Sequence, residues 1–196
     1  MRVGEKEDRI LVDKVLAGDT RAFGKLVEKY KKRIYYLAYR MTRDHDSADE
    51  LAQESFVRAY QAMSGFKREY SFYTWIYRIC VNLTINFLKR ESQKISVDSF
   101  EGGYQLLGGS DRSDQLERMI ASEQAAIIKR TLNTLPPDQK AVFVLKTYDD
   151  MSYQGMAKVM NCSIGTVMSR LFRARHKLRK ALEIADVQED REDERL

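Results

Sequence analysis

Six cations, Arg170, Arg173, Arg175, Lys177, Arg179 and Lys180, fall between Ser163 and Leu182 with no acid among them. Arginine can bond guanine through two donors at once, and both cation types neutralise phosphate. A run of like charge is equally compatible with a solvated helix, so it needs a second signal before it means DNA. A different chemistry is carried by Phe66, Tyr70, Phe72, Tyr73, Trp75 and Tyr77, interleaved with Lys67, Arg68 and Arg78. Rings stack on unpaired bases while cations hold the backbone between them, a pattern suited to single-stranded nucleic acid. Three or four of these rings are needed by a helical core; the others exceed what one face can bury. Enzyme chemistry is poorly supplied. His45 and His176 stand far apart, with no Glu or Cys at ligand spacing. Asp44, Asp46, Asp49 and Glu50 suit the first turn of a helix better than a Mg²⁺ site, which draws carboxylates from separated elements. The expectation is no catalytic residue, no metal, no cofactor and no small-molecule substrate.

The elements that must position these groups read as helices. Only two prolines occur, adjacent at Pro136-Pro137, and no alternating β-branched run is closed by a hairpin turn. The fold class is all-α, with two small helical domains at 8–91 and 118–182, joined by a flexible acidic linker at 92–117. The linker holds Gly102, Gly103, Gly108 and Gly109, several serines and a surplus of acids, and too few apolar residues for a core. An acidic tail covers 183–196, fraying from Asp186 onward.

In the first domain a helix over Arg9–Ala17 ends at Gly18. The next carries Phe23, Leu26, Val27, Tyr30, Ile34, Leu37, Ala38 and Met41 at spacings of three and four, one buried stripe. Ser47-x-x-Glu50 matches a capping box for a third helix, with Ala48, Leu51, Ala52, Ser55, Phe56, Ala59 and Met63 inward. A fourth, over Ser71–Arg90, buries Ile76, Ile79, Cys80, Leu83 and Phe87. Cys80 and Cys162 are too far apart for a paired-cysteine framework and fit buried apolar positions. No signal peptide or membrane-spanning apolar run is present, so a cytoplasmic protein is expected.

In the second domain Ser152 caps a short amphipathic helix through Met160, Asn161-Cys162 makes a turn, and Ser163 caps a longer helix. Val167, Leu171, Ala174, Leu178 and Leu182 line one side of that helix, and small Ala157 suits a close crossing. This is a helix-turn-helix pattern, whose second helix enters the major groove. Gly165, Thr166, Ser169, Arg170 and Arg173 occupy the front of the recognition helix, followed by Arg175 and Lys177. The helix N-terminus at Ser163 also attracts phosphate.

Leu135-Pro136-Pro137-Asp138-Gln139-Lys140, Val144-Leu145-Lys146, Met151-Ser152-Tyr153 and the run from Ile164 to Arg175 together resemble the promoter-reading domain of extracytoplasmic-function sigma factors, in the sigma-70 superfamily, of the envelope-stress type. The chain departs from that pattern at Met168, where a basic residue is normal, and at Gly155, where an acid is normal. The run from Asp46 to Tyr60 is similar to the family's polymerase-binding helix, and Phe72 to Leu83 to its strand-opening segment. Asn86 stands where an aspartate is common.

The resemblance implies a factor that binds core RNA polymerase, recognises two promoter elements and promotes melting for a stress-responsive regulon. It implies a downstream-element site of Phe66, Lys67, Arg68, Tyr70, Tyr73, Trp75, Arg78, Asn82, Asn86, Lys89 and Arg90, with Asn82 beside a base flipped from the duplex. It implies an upstream-element site of Ser163, Gly165, Thr166, Ser169, Arg170, Phe172, Arg173, Arg175 and Lys177. Asp49, Gln53, Glu54 and Arg58 would face the polymerase, since an acidic face repels DNA. The expected partners are core RNA polymerase, promoter DNA and an anti-sigma factor, membrane-anchored or not. The alternative is a helix-turn-helix regulator that acts on duplex DNA without the polymerase.

Overall fold

The computed structural model describes residues 3–98 and 123–193, with side chains over 6–93 and 126–184. Among the described residues the regular elements are all helical: α1 (Val3–Leu16), α2 (Thr20–Thr42), α3 (His45–Gln61), a 3₁₀ turn (Met63–Gly65), α4 (Phe72–Asp98), α5 (Glu123–Asn133), α6 (Pro137–Thr147), α7 (Tyr153–Met160) and α8 (Ile164–Asp193). None of these helices is long and apolar enough to cross a membrane.

The first four pack as one bundle around α2. Gly18 turns into α2 at φ +98°, where a Cβ would be strained. Asp19 then caps the helix, accepting the N–H of Arg21 at 2.9 Å and of Ala22 at 3.3 Å. The expected stripe is buried from Phe23 to Met41, with Val27 half-buried. Each such side chain contributes about 1.5–3 kcal/mol, against about 1 kcal/mol for a cap, so the stripe and not the cap decides the helix. The start of α3 differs from expectation. Asp44, not Ser47, is its cap, accepting the Ser47 N–H at 2.8 Å. Arg43 ends α2 in the left-handed conformation at φ 62°, so the chain reverses at once and α3 starts at His45. Bonds from Ser47 hold the Asp44 carboxyl below its ordinary pKa.

On α4 the expected stripe holds at Ile76, Cys80 and Leu83, with Ile79 and Phe87 half-buried. Burial pushes the Cys80 thiol up to about 11; Cys162 is only half-buried. A second side of α4, with Tyr77, Val81 and Ile85, is buried as well. The cause is tertiary: α6 and α7 pack on α4, and α6 also meets α2. Val142, Val144, Leu145, Met151, Met156 and Val159 thereby join the core of the first four helices. Polar ties cross the same seam. The Tyr77 hydroxyl donates to Asp149 Oδ1 at 2.8 Å, Lys89 pairs with Asp138 at 3.3 Å, and the Arg40 guanidinium lies 4.3 Å from the Tyr148 ring centre. Lys140, buried on α6, donates to Asn133 Oδ1 at 3.2 Å. Burial, with Arg43 of α2 adding like charge, lowers its pKa to about 8.

Two further boundaries differ from expectation. The α4 helix runs to Asp98, into the segment read as linker, and α8 runs to Asp193, through the tail read as frayed. The residues beyond Asp186 include Gln, Glu and Arg, good helix formers that continue an existing ladder at little cost. The four linker glycines, the expected onset of the second domain at 118, and the last three residues lie outside the described residues.

Candidate nucleic-acid interface

The helix-turn-helix is built from local bonds. Ser152 Oγ accepts the Gly155 N–H at 3.1 Å to open α7, and Asn161, left-handed at φ 49°, closes it. A Cβ on Gly155 would stand 2.9 Å from Met151 Cγ and 3.2 Å from Ser152 Oγ, so a larger residue there requires the Met151 side chain to shift. Ser163 Oγ accepts the Thr166 N–H at 3.1 Å and opens α8. Val167, Leu171, Ala174 and Leu178 are buried, so the other sides of α8 face outward.

Those sides divide the expected upstream-element residues. Ser163, Gly165, Ser169, Phe172, Arg173 and Arg175 are exposed, and Thr166 is half-buried with its hydroxyl 2.9 Å from Ser163 Oγ. Arg170 and Lys177 are engaged within the protein. Arg170 is half-buried, 3.5 Å from Asp138 and 3.8 Å from Cys162 Sγ. Lys177 donates to the Thr134 carbonyl at 2.8 Å, just beyond the end of α5. Free cations therefore lie at Arg173 and Arg175, with Arg179 and Lys180 behind them.

The aromatic cluster splits as a helical core requires. Phe72 and Tyr77 are fully buried, Tyr73 and Trp75 half-buried, Phe66 half-buried and edge-on to Trp75 at 4.9 Å, and Tyr70 is exposed. Ser71 Oγ accepts the Thr74 N–H at 3.2 Å, fixing where α4 begins. A cavity of about 370 Å³ lies between Lys67, Tyr70, Trp75 and Arg78 on one side and Lys158 and Asn161 of the helix-turn-helix on the other. Three cations and two rings thus face one space. Asn82, Asn86, Lys89 and Arg90 continue along α4, all exposed. Arg68 points away, paired with Asp13 at 2.9 Å.

On α3, Gln53 donates to Asp49 at 2.7 Å and Arg58 to Glu54 at 2.6 Å, so the acidic face is held in i,i+4 pairs. Sequence reasoning missed what lies beside it. Val27, Lys31, Tyr35 and Tyr36 of α2 complete a groove of about 590 Å³ with Asp49, Ala52, Gln53 and Phe56. The adjacent tyrosines of α2 gave a signal, but only the pairing of α2 with α3 turns them into one surface.

Both halves of the chain match known proteins. Residues 26–94 match the family model for sigma-70 region 2, and residues 125–178 match that for sigma-70 region 4. The chain is 36% identical over 187 residues to the RNA polymerase sigma-H factor of Pseudomonas aeruginosa, covering 91% of this chain and 95% of that one. It is 35% identical over 179 residues to the ECF RNA polymerase sigma-E factor of Escherichia coli strain K12, covering 87% and 92%. Among solved structures it is similar to CnrH in complex with the cytosolic domain of CnrY, with TM-score 0.65, 25% identity and coverage of 91% and 98%. The sigma factor RpoE of Bartonella quintana, in complex with the anti-sigma factor NepR, shares the fold with TM-score 0.65 at 21% identity, covering 84% and 99%.

Proposed function

The chain belongs to the extracytoplasmic-function group of the sigma-70 family, and from that premise we propose how its surfaces divide the work of a transcription initiation factor. The protein is a sigma factor. The α2–α3 groove, with Asp49 and Gln53 in its wall and Glu54 and Arg58 farther along the same helix, docks on core RNA polymerase, because an apolar floor of Val27, Ala52 and Phe56 set between Lys31 and Lys32 on one side and Asp49 on the other suits a protein surface. The start of α4 takes the displaced strand of the downstream element. Tyr70 and Trp75 stack on its bases, Lys67 and Arg78 hold its backbone, and Asn82 offers a donor and an acceptor to one flipped base. The front of α8, with Ser169 and Arg173, reads the upstream element in the major groove. The single observation that carries this reading is the order of regions 2 and 4 on one chain, with a basic recognition helix and an acidic α3 presented separately.

The two neighbours solved with protein partners, CnrY and NepR, support an anti-sigma factor as a further partner of this chain, and a cytoplasmic site of action goes with that role. Run-off transcription with core enzyme on genomic fragments tests the function. Specific transcripts should depend on this protein and on the polymerase together. Tight sequence-specific binding by the free protein, with no transcript added by the polymerase, would instead establish the duplex-binding regulator.

A further inference from the structure

Among the described residues α8 exposes four large apolar side chains, Ile164, Met168, Phe172 and Ile184, and Met168 and Phe172 are the most exposed of them. Met168 is 53% exposed and Phe172 is 70% exposed, and they lie one helical turn apart, side by side. The inward stripe of the helix is already filled by Val167, Leu171, Ala174 and Leu178, so folding uses neither. With Tyr153 at the start of α7, and His176, whose ring lies parallel to that of Phe172 at 6.1 Å, they wall a cavity of about 340 Å³ whose rim is Arg175 and Arg179. An exposed apolar patch of this kind marks a contact surface.

The surroundings select the occupant. Every charged residue between Ile164 and Leu182 is a cation, so the occupant is a polyanion. The patch is also continuous with Ser169 and Arg173, the base-facing residues of the proposed upstream site. Duplex DNA satisfies both conditions: phosphates meet the arginine rim, and in the major groove thymine presents an apolar 5-methyl group. Methionine is suited to that contact, being unbranched, flexible and polarisable. A basic residue at the same position, as the family usually has, would seek phosphate or guanine instead.

We infer that Met168, backed by Phe172, reads the 5-methyl group of a thymine in the upstream promoter element. The inference rests on α8 being the recognition helix, and it adds an apolar preference to the polar reading by Ser169 and Arg173.

Holoenzyme assembled from the full chain and core polymerase selects duplexes from a library randomised over the upstream element. The selected duplex is then resynthesised with deoxyuridine in place of one thymidine at a time, which deletes only the methyl. Wild type weakens about fourfold at one position, the effect of one buried methyl group. Met168→Ala binds the thymine duplex more weakly by the same factor and is indifferent to deoxyuridine there. Met168→Arg is equally indifferent and loses affinity more steeply with salt. The inference is overturned if wild type ignores the loss of every methyl, or if Met168→Ala keeps the deoxyuridine sensitivity. It is also overturned if Met168→Ala weakens binding to core polymerase without DNA, since a polymerase subunit then covers the patch. Failure of the upstream reading itself looks different: the holoenzyme selects no common upstream sequence, and the inference falls with it.

Discussion

The α8 face and the α4 face meet solvent on different terms. On α8, Ser169, Phe172 and Arg173 stand clear, and the burial that holds the helix lies entirely on its other side. On α4, Lys158 and Asn161 stand opposite Trp75 and Arg78 across one cavity, and Tyr77 is bonded to Asp149. The difference follows from the two tasks. On the proposed reading, a duplex reader projects its side chains into a groove and must stand clear, as Met168 and Phe172 do, whereas a strand reader holds bases between rings; here the rings of α4 lie against the molecule's other half. The chain therefore presents an open α8 face, proposed to read the duplex, and a covered α4 face, proposed to take the separated strand, in one closed arrangement.

The largest expected effect concerns Lys140, which lies at the junction of the two halves. Its folded pKa of about 8 lies below the ordinary 10.5, so an opened or unfolded chain binds the extra proton between those values. Stability contributed by this group therefore rises as pH climbs from about 8 towards 10.5, and the full penalty is present below pH 8. Lys140→Met should raise stability by about 3 kcal/mol at pH 7, with the gain shrinking by pH 10. Melting curves at both pH values test this; an equal gain at each would detach Lys140 from the effect.

A smaller effect, about 2 kcal/mol, is expected on the open face. Arg173→Ala should lower upstream-element binding by holoenzyme selectively by base, while Lys180→Ala should weaken all sequences alike and reduce the salt slope by about one. Competition binding across single-base variants separates them, and identical profiles would show that α8 reads no bases through Arg173.

The smallest is Tyr77→Phe, on the guarded face, at about 1 kcal/mol. Asp149 Oδ2 has no partner, and burial already raises that carboxyl's pKa, so removing the phenol leaves Oδ1 unpaired too. Hydrogen exchange of α6 and α7 should quicken with the fold otherwise intact. Unchanged exchange would mean that the apolar seam alone keeps the halves together.

The sequence disclosed this comparison only in part. A single amphipathic stripe is legible wherever one face of a helix is buried, which is why α2, α3 and the inward side of α8 agree with the periodicity. Tyr77, Val81 and Ile85 escaped because α4 is buried on two sides, and two overlapping stripes leave no clear period. The caps at Ser152 and Ser163 were readable as start signals, yet Asp44 displaced Ser47 because two start signals overlapped and the turn at Arg43 chose between them. Among the site residues, exposure at Ser169, Arg173, Asn82 and Asn86 followed from spacing. The capture of Arg170 by Asp138 and of Lys177 by Thr134 did not, since both partners lie outside α8, one on α6 and one just beyond α5.

Asp138 has a consequence of its own. One carboxylate lies 3.3 Å from Lys89 and 3.5 Å from Arg170, two cations assigned above to different promoter elements. It has the sign of a backbone phosphate and stands where the two proposed DNA-binding surfaces converge, so on that reading the closed chain carries an internal stand-in for its ligand. When DNA replaces that carboxylate, one anion is exchanged for another at both cations. The DNA still sheds its condensed cations, but salt weakens the internal pairs along with the external ones and so offsets part of that loss. Binding by this protein should consequently depend less steeply on ionic strength than its basic surface alone would dictate.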